Sequence, residues 1–583
     1  MSYPTGPAPA LPVPDIAFAP DGPRSARFQD GYHGADDGLA EAEHVFVGGN
    51  ALRDRFARVS SGEVFVLGEL GFGTGVNALA ALRAWAERGH TNGHLWIVSA
   101  EAYPLARAQM ARSLRENAER WPTVAGAARA LEAAYPDPLP GQATVRLGPD
   151  TTLTLLFGDA EAALRGAAFA ADAWMLDGFS PRTNPEMWTD GLMALVAARS
   201  RPGATAATFT VAGAVRRALE GAGFAWAKRE GYGAKRECLT ARLTVHLPGH
   251  APPLPRPRVG VVGAGIAGAC LAEALRRLGA DPVVFDPAPA SGASGNPGGL
   301  VTPRLQAADD PIARFYRDAY LFARRFYADA CPDAFGTLGA TVAMAERRVA
   351  KVLGLGIWPT GELIAHPVGL DAPGGAVLRP DAAVARLLLG TEVVRRAPRI
   401  EAGPAGVRLD GARFDAVVLA AGAATPLLPG MEEVAGYLSA RRGQIDWFGG
   451  GAPARVLSGD GYAAPLQPGD TLLVGATYAP AGFADAPVPS AQDTAANAAT
   501  AARLTGGAPG SHRGARASLR CASRDRHPLA GALRDGVHVL TALGSRGLMT
   551  APLLAAELAS AVLCAPRALP CDQGTALRPP RFH

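Results

Sequence analysis

Lysine is nearly missing from this 583-residue chain: Lys228, Lys235 and Lys351 are the only three, so its positive charge is almost wholly arginine. Cysteine is also sparse, six residues with no C-x-x-C pair, which argues against a disulfide framework and a thiolate zinc site, and no metal is expected. No apolar run reaches the ~18 residues that cross a bilayer. The nearest, toward the C-terminus, is broken by Ser545-Arg546. The opening Met1-Ser-Tyr-Pro-Thr-Gly-Pro has neither a basic start nor an apolar core. It does not read as a secretory signal, so a cytoplasmic location without membrane contact is expected. What is plentiful is apolar side chain, 48% of residues, enough over this length for more than one core. The net charge of +4 falls mostly after residue 250. That is compatible with a polyanionic partner such as RNA, and is also ordinary for a segment of that length.

The strongest pattern is Arg258-Val-Gly-Val-Val-Gly263-Ala-Gly265-Ile-Ala-Gly268, a strand running into Gly-x-Gly-x-x-Gly, with a helix behind it to Leu278. A second strand, Pro282-Val-Val-Phe285, ends in Asp286, placed to take ribose hydroxyls. Here the glycines allow a tight turn and the helix N-terminus meets a pyrophosphate. Because 257 residues precede it, two catalytic units in series are expected. The organisation reads as an irregular proline-rich lead (1–27), a first domain (28–246), a linker holding five prolines (247–257), a second domain (258–565) and a tail (566–583).

In the first unit a strand at 63–68 passes into Glu69-Leu-Gly71-Phe-Gly73-Thr-Gly75-Val-Asn77 and then a helix. An acid directly before the glycines suits S-adenosylmethionine: the turn passes under the methionine part and a carboxylate meets its amino group. Further strands end at Glu101, for the ribose, and just before Asp159, for the adenine. Asp177 ends a central strand, where open α/β sheets bind ligands, with Phe179 and Pro181 as a pocket wall. Asp177 is the candidate to orient a substrate amine; a plain strand-end cap is the alternative. Helices are expected at 38–47, 102–119 and 185–200, and a strand at 206–210. A hairpin-like turn carries Lys228, Arg229, Lys235 and Arg236 around Tyr232, suited to RNA phosphate and base or simply a solvated turn.

In the second unit, Ser291-Gly-Ala-Ser294-Gly-Asn296-Pro-Gly-Gly299 is a small-residue loop able to lie close to a flat cofactor. A strand at 414–421 ends at Gly422. A late strand, turn and helix start at 537–549 brings Gly544, Arg546, Gly547 and Leu548 back toward the nucleotide unit. Nicotinamide enzymes have no use for that return, so FAD is expected rather than NAD. Residues 441–445 and 471–477 read as strands of a separate substrate sheet.

The order Glu-Leu-Gly-Phe-Gly-Thr-Gly-x-Asn, Leu-Asp-Gly-Phe-x-Pro, Lys-Arg-x-Gly-Tyr-Gly-x-Lys-Arg-Glu, a proline linker, Gly-x-Gly-Ile-Ala, Gly-Ala-Ser-Gly-Asn and Gly-Ser-Arg-Gly-Leu resembles the bifunctional tRNA 5-methylaminomethyl-2-thiouridine biosynthesis family from about residue 30 to 565. The resemblance implies an α/β two-domain fold: a class I, Rossmann-like methyltransferase, then a glycine-oxidase-like FAD domain with an α+β substrate subdomain. It implies FAD-dependent removal of the carboxymethyl group from 5-carboxymethylaminomethyl-(2-thio)uridine at the tRNA wobble position in the anticodon loop, then S-adenosyl-L-methionine-dependent methylation of the freed amine. No obligatory protein partner is implied. Similarity of residues 519–531 to glycine-oxidase-like enzymes implies that Arg520 holds the substrate carboxylate. A second arginine found in some relatives is replaced near Thr471, leaving the other carboxylate contact open. Two other readings stay open at this level: an amine oxidase fused to a small-molecule N-methyltransferase, and a non-enzymatic tRNA-binding scaffold.

Overall fold

Seven consecutive buried residues, Val64–Leu70, make the central strand of the first half, as a strand covered on both faces requires. The computed structural model describes residues 11–19, 22–32, 37–89, 93–233, 235–245, 257–403, 406–429, 431–466 and 469–582. Val64–Leu70 pairs in parallel with His94–Glu101 on one side and Ala171–Leu176 on the other. The eight-stranded sheet runs Phe224–Glu230, Glu237–Leu243, Ser200–Thr208, Ala171–Leu176, Val64–Leu70, His94–Glu101, Thr151–Phe157, Gly141–Gly148. The chain leaves Val64–Leu70 toward one edge and returns by Ala171–Leu176 toward the other. The crevice at their carboxyl ends is therefore where a ligand fits.

Several local expectations are corrected. The lead is not irregular throughout, because Ile16–Ala19 and Gly22–Ser25 form an antiparallel pair to which Asp30–Gly31 adds. The helix expected at 102–119 begins only at Arg107 and runs to Arg120; Pro104 keeps Tyr103 out of the helical region. The one expected at 185–200 is a 3-10 turn, Pro185–Trp188, and a helix, Asp190–Ala198, whose start is capped by Thr189 accepting from Leu192 N. Ser200 already belongs to the next strand. Gly38–Ala42 is α-helical and continues as a π-helical stretch, Glu43–Gly48. The proline linker expected at 247–257 lies outside the described residues apart from Pro257.

The second half holds a six-stranded sheet ordered Glu392–Val394, Asp281–Phe285, Arg258–Val262, Ala416–Leu419, Val537–Thr541, Leu529–Arg534, parallel except for the last strand. A separate nine-stranded sheet is built around the long antiparallel pair Leu438–Gly449 and Ser511–Ser523. The tail expected at 566–583 packs against both halves. Arg567 N donates to Ala168 O of the first half at 2.9 Å, Leu569 is buried, and Arg581 pairs with Asp525 at 2.8 Å. The halves meet again where Arg146 and Arg277 converge on Asp329, at 2.8 and 3.2 Å. Among the described residues no helix is long and apolar enough to cross a membrane, and no group of three His, Cys, Asp or Glu side chains is placed to hold a metal ion.

Candidate active sites

In the first half the glycine loop leaves its strand with Gly71 and Gly73 at φ +79° and +52°, a region side chains rarely adopt. A Cβ on Gly71 would come within 3.2 Å of Asp177 O, so the loop lies against the end of the neighbouring strand. Glu101 ties that loop down: its carboxylate accepts from Gly73 N at 2.8 Å and Tyr103 N at 2.7 Å. Together they border a cavity of about 860 Å³ that Asp159, Asp177, Phe179, Asn77 and Lys235 also line. Its size, glycine floor and acidic edge fit an adenosyl ligand with a positively charged centre.

Asp177 sits at the carboxyl end of Ala171–Leu176 and receives two hydrogen bonds, from Asn77 Nδ2 at 2.7 Å and Gly178 N at 2.8 Å. Burial raises its carboxyl to about 6 against the pull of those bonds and of nearby Lys235. It is thus ionised at neutral pH with its hydrogen bonds only partly spent. Asn77, expected to touch the cofactor, spends its amide on Asp177. Asp159 caps the helix Ala160–Gly166 by accepting from Ala162 N at 3.0 Å, and still edges the cavity. Glu69 departs from expectation: it is fully buried behind the loop and does not line the cavity, with Ser99 and Asn77 as its polar neighbours. Burial pushes its carboxyl up to about 8.

Phe179 stacks on Phe28 with ring centres 4.5 Å apart and meets Tyr32 edge-on, while Pro181 does not reach the cavity. Phe28 and Tyr32 belong to the stretch just after the proline lead and were not anticipated. The aromatic residues bracketing Asp30-Gly31 were the available signal of an ordered turn. Asp30 also reaches across to accept from Ser180 N at 3.2 Å, which joins this turn to the loop after Asp177.

The hairpin of Phe224–Glu230 and Glu237–Leu243 is present, but its cations are not four free charges. Lys228 pairs with Glu237 at 2.7 Å and Arg229 donates to His44 O at 3.4 Å. Lys235 pairs with Glu41 at 2.8 Å and lies over the Phe209 ring. Arg236 alone is exposed with no ion pair among the described residues.

In the second half Gly263, at φ +114°, allows Ala420 O to pass where a Cβ would be 2.5 Å away, and Gly265 opens the helix Ile266–Arg277. A Cβ on Gly268 would collide with Gly263 O, so the helix seats directly on the turn. Asp286 accepts from Ala264 N at 2.6 Å and Ala288 N at 2.8 Å; Ser294 Oγ accepts from Ile266 N at 2.9 Å. Asn296 Oδ1 is buried with no partner. Gly422 and Gly544, at φ +58° and +56°, have nothing within 4 Å of where a Cβ would stand. Arg546 donates to Thr302 Oγ1 at 3.0 Å and Leu548 O accepts from Tyr327. Gly547 begins the helix Gly547–Val562. This backbone-lined crevice with an unspent acceptor and an acid at its end fits a flavin dinucleotide.

Arg520 lies on Ser511–Ser523 directly opposite Arg441 of Leu438–Gly449. Opposed residues of an antiparallel pair share a face. On that face Arg516, two pairs further along, bonds the carbonyls of Ser291, Gly292 and Gly295, so it is the face turned to the cofactor loop. Burial lowers the Arg520 guanidinium, whose only hydrogen bond among the described residues is a long one to Thr477 O, 3.4 Å. Arg441 lies over the Tyr478 ring, 5.9 Å from its centre. Thr471 pairs with Gly449 at the far end of the same strand, away from Arg520. Arg441 was missed because only the register of two strands some 80 residues apart brings it beside Arg520.

Residues 122–244 match the family of S-adenosyl-L-methionine-dependent methyltransferases and residues 258–561 the FAD dependent oxidoreductases. The chain is 41% identical to the tRNA 5-methylaminomethyl-2-thiouridine biosynthesis bifunctional protein MnmC of Caulobacter vibrioides, over 98% of each. It is 38% identical to the protein of the same name from Maricaulis maris, over 97% of this chain and 95% of that one. Among solved structures, iminodiacetate oxidase from Chelativorans sp. BNC1 is similar at 21% identity and a TM-score of 0.46, covering 54% of this chain and 98% of that one.

Proposed function

This chain belongs to the family of bifunctional tRNA 5-methylaminomethyl-2-thiouridine biosynthesis proteins, a methyltransferase joined to an FAD-dependent oxidoreductase, and from that membership we propose which groups carry its two reactions on tRNA. When bound, FAD supplies a hydride acceptor and S-adenosyl-L-methionine an electrophilic methyl group. The substrate is the wobble uridine of the anticodon loop. Its carboxymethylaminomethyl group is an N-substituted glycine, from which the second half leaves an aminomethyl group for the first half to methylate.

Arg520 grips the glycine-type carboxylate, and Arg441 beside it supplies the second contact that the sequence left open. A pair of guanidinium groups fixes both oxygens and so the C–N bond relative to the cofactor loop. Gly263, Gly265, Gly268, Gly422, Gly544, Gly547, Ser294, Asn296, Asp286, Arg546 and Leu548 hold the flavin dinucleotide. In the first half, Gly71, Gly73, Glu101 and Asp159 cradle S-adenosyl-L-methionine, while Gly75, expected there too, does not line the cavity and at φ +80° serves the turn itself. Asp177 holds an N–H of the substrate amine. A carboxyl at about 6 is far too weak a base to strip an alkylammonium fully, so its main work is to aim the nitrogen lone pair at the methyl. Phe179 and Phe28 exclude water beside it. Arg236 and Lys235 face the tRNA. The protein works in the cytoplasm.

The observation that carries this reading is that one polypeptide holds two glycine cradles, one edged with carboxylates and the other faced by paired arginines. The test is to incubate undermodified tRNA with the FAD-loaded protein, adding S-adenosyl-L-methionine in one arm only, and to weigh the nucleosides. Aminomethyluridine is expected without the methyl donor and methylaminomethyluridine with it. Unchanged carboxymethylaminomethyluridine in both arms overturns the reading.

A further inference from the structure

Beside the flavin crevice, the second half contains a cavity of about 650 Å³ with four arginines on its wall, Arg304, Arg348, Arg503 and Arg546. It lies between the segment after Gly299–Val301, the end of Ala340–Ala343 and the turn joining Val456–Gly459 to Gly461–Leu466. Asp460 is the one acid lining it. None of the four guanidinium groups forms an ion pair among the described residues. Each is instead held by neutral oxygen: Arg304 by Tyr316 Oη and Arg526 O, Arg348 by Leu305 O at 3.1 Å, Arg503 by Asp460 O at 2.6 Å, Arg546 by Thr302 Oγ1 at 3.0 Å. Such bonds orient an arginine without neutralising it. Gln306, on the same wall, has a buried Nε2 with no acceptor.

Like charges gathered around one space repel, and a fold that sets four guanidinium groups there against the single carboxylate of Asp460 leaves an unmet demand for anions. The planar guanidinium forks match phosphate oxygens in pairs. The cavity shares Arg546 with the turn that returns to the flavin, so whatever occupies it lies next to the oxidation site. Resting on the proposed tRNA substrate, we propose that this cavity seats backbone phosphates of the anticodon arm next to the modified uridine, setting the nucleotide's depth over the flavin. Arg348 and Arg503 are its exposed rim, and Arg304 and Arg546 its floor.

The test uses the full-length, FAD-loaded protein and the double variant Arg348→Gln/Arg503→Gln, which loses one hydrogen bond to each of two backbone carbonyls, Leu305 O and Asp460 O. Filter binding of undermodified tRNA is measured across salt concentrations, and the oxidation step by steady-state kinetics. Removing two phosphate contacts should flatten the slope of log affinity against log salt by about 1 to 2 and raise the KM for tRNA about tenfold, with kcat held. The charge-retaining Arg348→Lys/Arg503→Lys variant should recover most of the slope. An unaltered slope and KM in the glutamine variant overturns the inference, as does equal loss in both variants. Wild-type protein that fails to convert the tRNA at all overturns the proposed function instead.

Discussion

Glu101 accepts from Gly73 N at 2.8 Å in the first half, and Asp286 accepts from Ala264 N at 2.6 Å in the second. In both cradles the acid that ends the second strand is bonded to a backbone N–H of the glycine turn, so it shapes the loop as well as facing the ligand. Beyond this shared wiring the surroundings have opposite charge. The first cavity is edged by Glu101, Asp159 and Asp177, and the substrate face of the second half by Arg441 and Arg520. That difference matches the groups proposed for each: a sulfonium and an amine in one, a carboxylate and phosphates in the other.

Exchanging charge at either centre should therefore silence one reaction and spare the other. Asp177→Ala removes the side chain proposed to hold the amine, and methyl transfer should fall by about a thousandfold while substrate still reduces the flavin. Flavin bleaching and methyl incorporation measured on one preparation check this; parallel loss of both would merge the two sites into one folding unit. Arg520→Gln should do the reverse, lowering kcat/KM for oxidation by about a hundredfold, and Arg441→Gln by about tenfold, with methylation of aminomethyl-tRNA intact. Equal effects of Arg441→Gln on both reactions would remove it from the carboxylate site.

A gentler probe is pH. Asp177, raised to about 6, is protonated below that value and ionised above it, so methyl-transfer kcat/KM should climb as pH rises through about 6 and then level. Asp177→Asn should lose that limb. Oxidation, resting on arginines charged throughout, should show no inflection there.

Much of this contrast was legible in the sequence because glycine turns and strand-end acids are local: Gly71, Gly73, Glu101, Gly263 and Asp286 all stand where their spacing placed them. What was illegible depends on contacts between distant segments. The Phe28 and Tyr32 wall comes from the stretch just after the proline lead, which carries no motif, and Lys235 and Arg229 of the basic hairpin looked free because their partners Glu41 and His44 are 194 and 185 residues away. Arg441 needed a strand register, and the tail beyond 565 carries no motif at all, only apolar burial and scattered polar contacts to its own half and the first.

Glu69 is the feature the second cradle has no counterpart for, since Val261 stands at the equivalent place two residues before its first glycine. Raised to about 8 by burial, against the opposing pull of Ser99 and Asn77 beside it, its carboxyl keeps a proton in the folded chain that the unfolded chain releases above about 4.5. Between those two values each rise in pH thus weakens folding; the contribution is whole below about 4.5 and lost by about 8. Glu69→Gln keeps the shape and removes the titration. Its thermal midpoint should match the wild type near pH 4.5 and exceed it by a few degrees at pH 8, in the methyltransferase transition only. A constant difference across pH would show that the carboxyl is ionised in the fold over this range and overturn its burial as a neutral acid.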